Sequence, residues 1–145
     1  EVAKLAQSGL VEIGNHTFDL HGQSGRMGCA RRRGESAADY ERMFLKDVGK
    51  LQSELTERAG VTPLAFAYPY GITDPLAAPL LERLGFCVTL TCSERANTLI
   101  AGDPTCLFGL GRYNRPSGVS TESFMERVLG QPIRSPRQSQ IWPVT

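Results

Sequence analysis

An α/β fold built around a mainly parallel sheet is predicted by two features of this 145-residue chain. Short apolar runs rich in β-branched and aromatic residues alternate with amphipathic stretches at helical spacing. The strongest of those stretches carry their own punctuation, a serine or Asp-Pro in front and a glycine behind. Strand, helix, strand, helix at these intervals implies right-handed crossovers between parallel strands. The hydrophobic fraction of 41% and charged fraction of 21% are those of an ordinary globular domain large enough to bury a core.

Each element has a local reason. Val2, Leu5 and Ala6 make a short helical stripe that Ser8-Gly9 ends. That helix starts at the first residue without a cap, no methionine opens the chain and no signal peptide is visible, so further sequence is expected upstream. Leu10-Val-Glu-Ile13 reads as a strand leaving through Gly14-Asn15, followed by a glycine-rich loop to Gly34. Ser36 caps a long helix, with Asp39 three residues on as a variant capping box. Tyr40, Phe44, Val48, Leu51 and Leu55 then recur on one face, and Gly60 closes it.

Leu64-Ala-Phe-Ala-Tyr68 reads as a buried strand ending in Pro69-Tyr70-Gly71. Asp74-Pro75 opens a helix running to Leu84, which Pro79 must delay or kink. Phe86 to Thr91 is the next strand, and Cys106 to Leu110 another. Ser120 or Thr121 caps a last helix through Leu129. Residues 1–130 therefore form one domain, and the Pro-, Ser-, Gln- and Arg-rich tail 131–145 is expected to be extended or disordered.

A net charge of +1 gives no whole-chain pull toward nucleic acid or anionic membrane, and no apolar stretch reaches membrane-spanning length. Arg31-Arg32-Arg33 reads as a solvated loop. The four cysteines show no Cys-x-x-Cys spacing and leave the redox compartment open. Cys87 reads as a small hydrophobe inside a strand.

His16 and His21 are the only histidines. Five residues apart, their side chains would diverge by roughly 140° on a helix and point to opposite faces on a strand. They converge only if the backbone turns between them, as it does where a strand passes into a loop. Two imidazoles meeting at a strand's carboxyl end make half of a zinc site, and hydrogen-bonded structural histidines are the alternative. The Tyr68-Pro69-Tyr70-Gly71 element falls at another such end, so both motifs are placed on one rim.

Glu12-Ile-Gly-Asn-His-Thr-Phe-Asp-Leu-His21 resembles the second motif of the polysaccharide deacetylases, the NodB-homology or carbohydrate esterase family 4 enzymes. The commonest histidine spacing in that family is four. The spacing of five resembles the branch that includes poly-β-1,6-N-acetylglucosamine deacetylases. Phe66-Ala-Tyr-Pro-Tyr-Gly71 is similar to the third motif, and Leu84-Gly-Phe86 leading into a Thr-containing strand also fits. The resemblance covers about residues 1–129 and implies a distorted (β/α) barrel, incomplete here at its N-terminus. It implies metal-assisted hydrolysis of N-acetyl groups on an N-acetylglucosamine-type polysaccharide, with a divalent ion, most often zinc, polarising the acetamide and activating water. His16 and His21 would be metal ligands and the Tyr70 backbone N–H the oxyanion donor, with Pro69 and Gly71 shaping the substrate-binding loop. A cell-surface or extracellular setting would follow only if an export signal lies upstream.

The pattern departs from the family at three points. The first motif, Thr-Phe-Asp-Asp, which supplies the base and the third ligand, has no counterpart before His16, where the only acids are Glu1 and Glu12. Asp19, between the histidines, reads as a turn residue. Ala67 stands where the third motif carries arginine, and no histidine is left for the late Leu-x-His motif, near which Arg112 and Arg115 fall. Two explanations fit: a piece of a deacetylase with weak or no activity alone, or a degenerate relative that binds glycan without turnover. A structural zinc module using His16, His21 and Cys29 is a third reading, short of a fourth ligand.

Overall fold

The computed structural model describes residues 1–22 and 25–130. Helix α1 spans Val2–Gln7, α2 Ala37–Ala59, strand β1 Ala65–Ala67, α3 Ala77–Arg83, β2 Val88–Leu90 and α4 Thr121–Leu129; single 3-10 turns occupy Pro69–Gly71 and Pro104–Leu107. β1 and β2 pair in parallel, Ala65 opposite Val88 and Ala67 opposite Leu90. Isolated parallel bridges extend this pair on both sides, Asn15 to Phe66 and Leu90 to Leu110. The four segments thus lie in chain order, with α2 and α3 as the crossovers between the first three. Among the described residues no helix is long and apolar enough to cross a membrane.

α2 forms where its stripe and its caps agree. The Ser36 hydroxyl accepts the Asp39 N–H at 3.1 Å, satisfying one of the unpaired donors of the first turn. Gly60 adopts φ 65° and donates to the Thr56 carbonyl, closing the helix as glycine does without a Cβ penalty. Tyr40, Phe44 and Val48, four residues apart, are fully buried. On β1 the period changes to two, and Phe66 and Tyr68 face the same core. Phe66 is its centre. Its ring lies 6.2 Å from Phe44, 5.1 Å from Tyr68 and 5.6 Å from Phe86, the last two edge-to-face. Leu80 and Leu81 of α3 complete this cluster, and Leu20 and Cys29 attach the loop before α2 to it.

Several sequence expectations are corrected. Residues 10–14 are not a strand: Leu10 is 90% exposed, and the ladder contains Asn15 alone. Apolar composition is not enough when the backbone lacks a neighbour along its length. Residues 106–110 are likewise a turn followed by one bridge. The Asp103 carboxylate accepts the Thr105 N–H at 2.9 Å and Pro104 takes the first helical position, chemistry that outranks the apolar run after it. α3 begins at Ala77, later than Asp74-Pro75 predicts, with Pro79 inside its first turn, where a missing N–H is harmless. Cys87 is exposed, one residue ahead of β2. Arg31 leaves the solvated cluster to pair with Asp74 at 2.9 Å. The expected tail, 131–145, lies outside the described residues.

Because Phe66 touches three aromatic rings and is fully buried, Phe66→Ala should lower unfolding free energy by about 4 kcal/mol in a denaturant titration.

Candidate active site

Asn15 sits at the crossing of three elements and is fully buried. Its N–H donates to the Ala65 carbonyl and its own carbonyl accepts the Ala67 N–H, both at 2.9 Å, which sets it beside β1. Its side-chain amide donates to the Val48 carbonyl at 3.2 Å and to Gln52 Oε1 at 3.0 Å, both on α2. Its Oδ1 accepts the Thr17 N–H at 2.9 Å. Every polar atom of the amide is thereby used, the condition for burying an asparagine without penalty.

That last bond turns the chain between the histidines. Thr17 has φ 69°, a left-handed conformation unusual for a β-branched residue. His16 and His21 converge as a result, ring centroids 4.6 Å apart at 65°. Both are exposed at the molecular surface. His16 Nδ1 donates to the Ala67 carbonyl at 2.7 Å. This fixes the tautomer and leaves Nε2 with its lone pair free, the arrangement that orients a metal-ligating imidazole.

The aromatic-proline element meets the same rings. Tyr70 lies 4.9 Å from His21, and its hydroxyl donates to the His21 carbonyl at 3.0 Å. Tyr70 also has a left-handed backbone, φ 57° and ψ 8°. Pro69 is buried beneath it. The turn bonds run from the Gly71 N–H to the Tyr68 carbonyl and from the Ile72 N–H to the Pro69 carbonyl; neither uses the Tyr70 N–H. Gly71 is required twice over, by φ 68° and by a missing Cβ that would lie 2.7 Å from the Cys92 nitrogen. Gly28, at φ 66°, packs as closely, its absent Cβ 2.6 Å from Ile72 Cβ. The residues singled out as His16, His21, Pro69, Tyr70 and Gly71 are therefore brought together.

The loop between the histidines and α2 is held by ion pairs that sequence reading missed. Arg26, 5% exposed, forms a two-pronged pair with Glu35, and its guanidinium also reaches the Ala30 carbonyl at 2.7 Å. The Arg26 hydrogen bond holds the Glu35 carboxyl below its usual range. Asp74 was legible only as a helix entry. It accepts from the Leu76 N–H and from both the N–H and Nε of Arg31, tying the stretch beyond Gly71 to this loop. Burial alone would push its carboxyl up, but those donors outweigh burial and hold it down.

Cys29 does not join the site as a ligand. It is buried in the core, and burial, with the Asp47 carboxylate adding to it, pushes the thiol up to about 12. A thiolate there is disfavoured. No group of three or more His, Cys, Asp or Glu side chains able to hold a metal occurs among the described residues, and the zinc-module reading loses its third ligand. Arg112 donates from Nε to the Thr91 carbonyl at 2.8 Å, and Arg115 from Nη2 to Thr121 Oγ1 at 2.9 Å; both serve their own loops.

Residues 1–89 match the family model described as polysaccharide deacetylase. The chain belongs to that family. It is 29% identical, over 153 aligned positions, to the poly-β-1,6-N-acetyl-D-glucosamine N-deacetylase of Escherichia coli K12, covering 95% of this chain and 22% of that protein. The enzyme of the same name from Staphylococcus aureus MSSA476 is 26% identical over 103 positions, 71% of this chain and 34% of that one. The chain thus spans about a fifth to a third of these relatives. A de-N-acetylase structure from Aggregatibacter actinomycetemcomitans superimposes with TM-score 0.65 at 20% identity, covering 86% of this chain and 50% of that one. IcaB from Ammonifex degensii does so with 0.62 at 26% identity, covering 88% and 50%. The deacetylase-type α/β fold is shared.

Two outcomes follow. In the folded chain a thiol reagent should modify exposed Cys87 rapidly and Cys29 only on unfolding, read by mass spectrometry. Glu35→Gln should cost roughly 2–3 kcal/mol at pH 7 by leaving Arg26 half-paired. Because the folded carboxyl is held low, its contribution is complete above the unfolded pKa of about 4.3 and disappears as pH falls through the folded value. Denaturation curves of the two proteins should therefore converge in acid.

Proposed function

We propose that this chain forms part of a metal-dependent deacetylase that removes N-acetyl groups from an N-acetylglucosamine-type polysaccharide, on a distorted (β/α) barrel of which the parallel arc described above is a portion. The single observation that carries the reading is the interlock of His16, His21 and Tyr70 through the Ala67 and His21 carbonyls. Family membership and the names of the relatives support the substrate class.

The donor set fits a divalent ion such as zinc: two converging imidazoles, one oriented by a backbone carbonyl. His16 and His21 would hold it, filling two of the four positions zinc prefers, so these residues alone bind it weakly. When bound, the ion acts as a Lewis acid on the acetamide and lowers the pKa of water. The protein's own part is positional. The Tyr70 N–H, outside the turn's bonds, is free to donate to an oxygen that gains charge as the amide is attacked. The strain of its left-handed backbone, on the order of 1 kcal/mol, is held by the turn bonds and by Gly71 fitting against Cys92. The half-exposed Tyr70 ring offers a sugar an apolar face beside the imidazoles.

A second reading, glycan binding without turnover, draws on the lack of a third metal-ligating side chain among the described residues. One experiment separates the two. Zinc is titrated calorimetrically into the chain and into the double variant His16→Ala, His21→Ala, and binding of a β-1,6-linked N-acetylglucosamine oligomer is measured with and without chelator. Under the first reading the double variant loses zinc binding, while its stability falls by no more than about 1 kcal/mol because both rings are exposed. A wild-type chain that takes up no zinc yet keeps its glycan affinity in chelator would overturn it in favour of the second.

A further inference from the structure

Four consecutive N–H groups between the two imidazoles, those of residues 17 to 20, all donate to side chains. Thr17 donates to Asn15, Leu20 to the Thr17 hydroxyl at 3.3 Å, and the middle pair to one carboxylate on α2. Asp47 accepts the Phe18 N–H on Oδ1 at 2.8 Å and the Asp19 N–H on Oδ2 at 2.9 Å. We propose that Asp47 is the positioning residue of the histidine pair, gripping the peptide midway between His16 and His21 so that both rings reach the same point.

Three features favour this over a helix-surface charge that happens to lie nearby. Both carboxylate oxygens are used, each on a different N–H, which fixes the orientation of two successive peptides; bonds to an ionised acceptor are also the stronger kind. The same stretch of α2 holds the loop at two further points. The Val48 carbonyl and Gln52 grip Asn15, and Lys50 Nζ stands 3.5 Å over the Phe18 ring. The other side-chain bond beside residues 18 and 19 is local and long, from the Leu20 N–H to the Thr17 hydroxyl at 3.3 Å, and the Phe18 ring is 45% exposed. A site residue set on a loop is only as well placed as its supports, and the side chains that hold residues 18 and 19 come from one helical stretch.

The inference rests on the metal reading above, so the test has an arm that needs no metal. Asp47→Ala, Asp47→Asn and, as a charge control on the same helix, Asp39→Asn are compared with the full chain. Nuclear Overhauser contacts between the His16 and His21 rings are recorded without metal, zinc affinity is measured by calorimetry, and unfolding is followed by denaturant. Asp47→Ala should lose most of the ring-to-ring contact and bind zinc about tenfold more weakly. Asp47→Asn, with one acceptor left, should fall between, and Asp39→Asn should match the parent in ring contact and zinc affinity. A merely structural role would lower the unfolding midpoint while leaving ring contact and affinity unchanged in the folded protein. Intact ring contacts in a folded Asp47→Ala, or in Asp47→Asn where the alanine variant does not fold, would overturn the proposal. If the parent binds no zinc, the metal reading fails and the ring contacts still decide the role of Asp47.

Discussion

The structure depends on a buried asparagine. Asn15 is bonded through its backbone to β1 and through its side chain to α2 and to the loop it begins. Its Gln52 partner passes the connection on, donating to the Pro63 carbonyl at 2.8 Å just before β1. A fully satisfied buried amide adds little net stability, but removing one member leaves donors unpaired at about 1–3 kcal/mol each. Such a network specifies one arrangement. Helix, strand and loop cannot shift independently once it forms, and His16 comes next in the chain.

Strain gathers at the same place. The non-glycine residues with left-handed backbone among those described are Thr17 and Tyr70, one in each motif. Thr17 is held by the Asn15 amide, which is itself anchored on α2, and Tyr70 by its hydroxyl on the His21 carbonyl. The Tyr70 turn thus meets the far end of the loop that the Thr17 turn begins. The aromatic core around Phe66 supplies the apolar burial that makes this tolerable, and Phe66 lies between Ala65 and Ala67, the two residues that grip Asn15.

How much of this was legible depended on whether the deciding partner was near in sequence. α2 and α4 could be read from capping serines and helical stripes, since Ser36 with Asp39 and Ser120 with Ser123 act within three residues. The convergence of His16 and His21 could be deduced as a requirement, because an offset of five admits no other way for them to meet. Segment 10–14 misled, because a strand is made by its neighbours and its apolar residues had none to pair with. Segment 106–110 misled because Asp103-Pro104 ahead of it carried a turn signal that was passed over. The supports were out of reach. Asp47 serves the loop from 28 and 29 positions away, and Asp74 meets Arg31 across 43. On a helical projection Asp47 is simply a charge on a polar face.

This separation matches the burial of the two layers. The imidazoles lie at the surface, where packing cannot hold them. Rigidity is imported one layer down instead. Asn15 is buried at full depth, Arg26 with Glu35 nearly so, and Asp47 is half-buried. Each holds backbone and none bonds to either imidazole, so the peptides carrying the rings stay fixed without a ring nitrogen being used. The backbone carbonyl that orients His16 belongs to Ala67, whose N–H donates to the Asn15 carbonyl. Because that oxygen is part of the strand that pairs with Asn15, the first imidazole takes its orientation from backbone and is independent of the side chain at position 67.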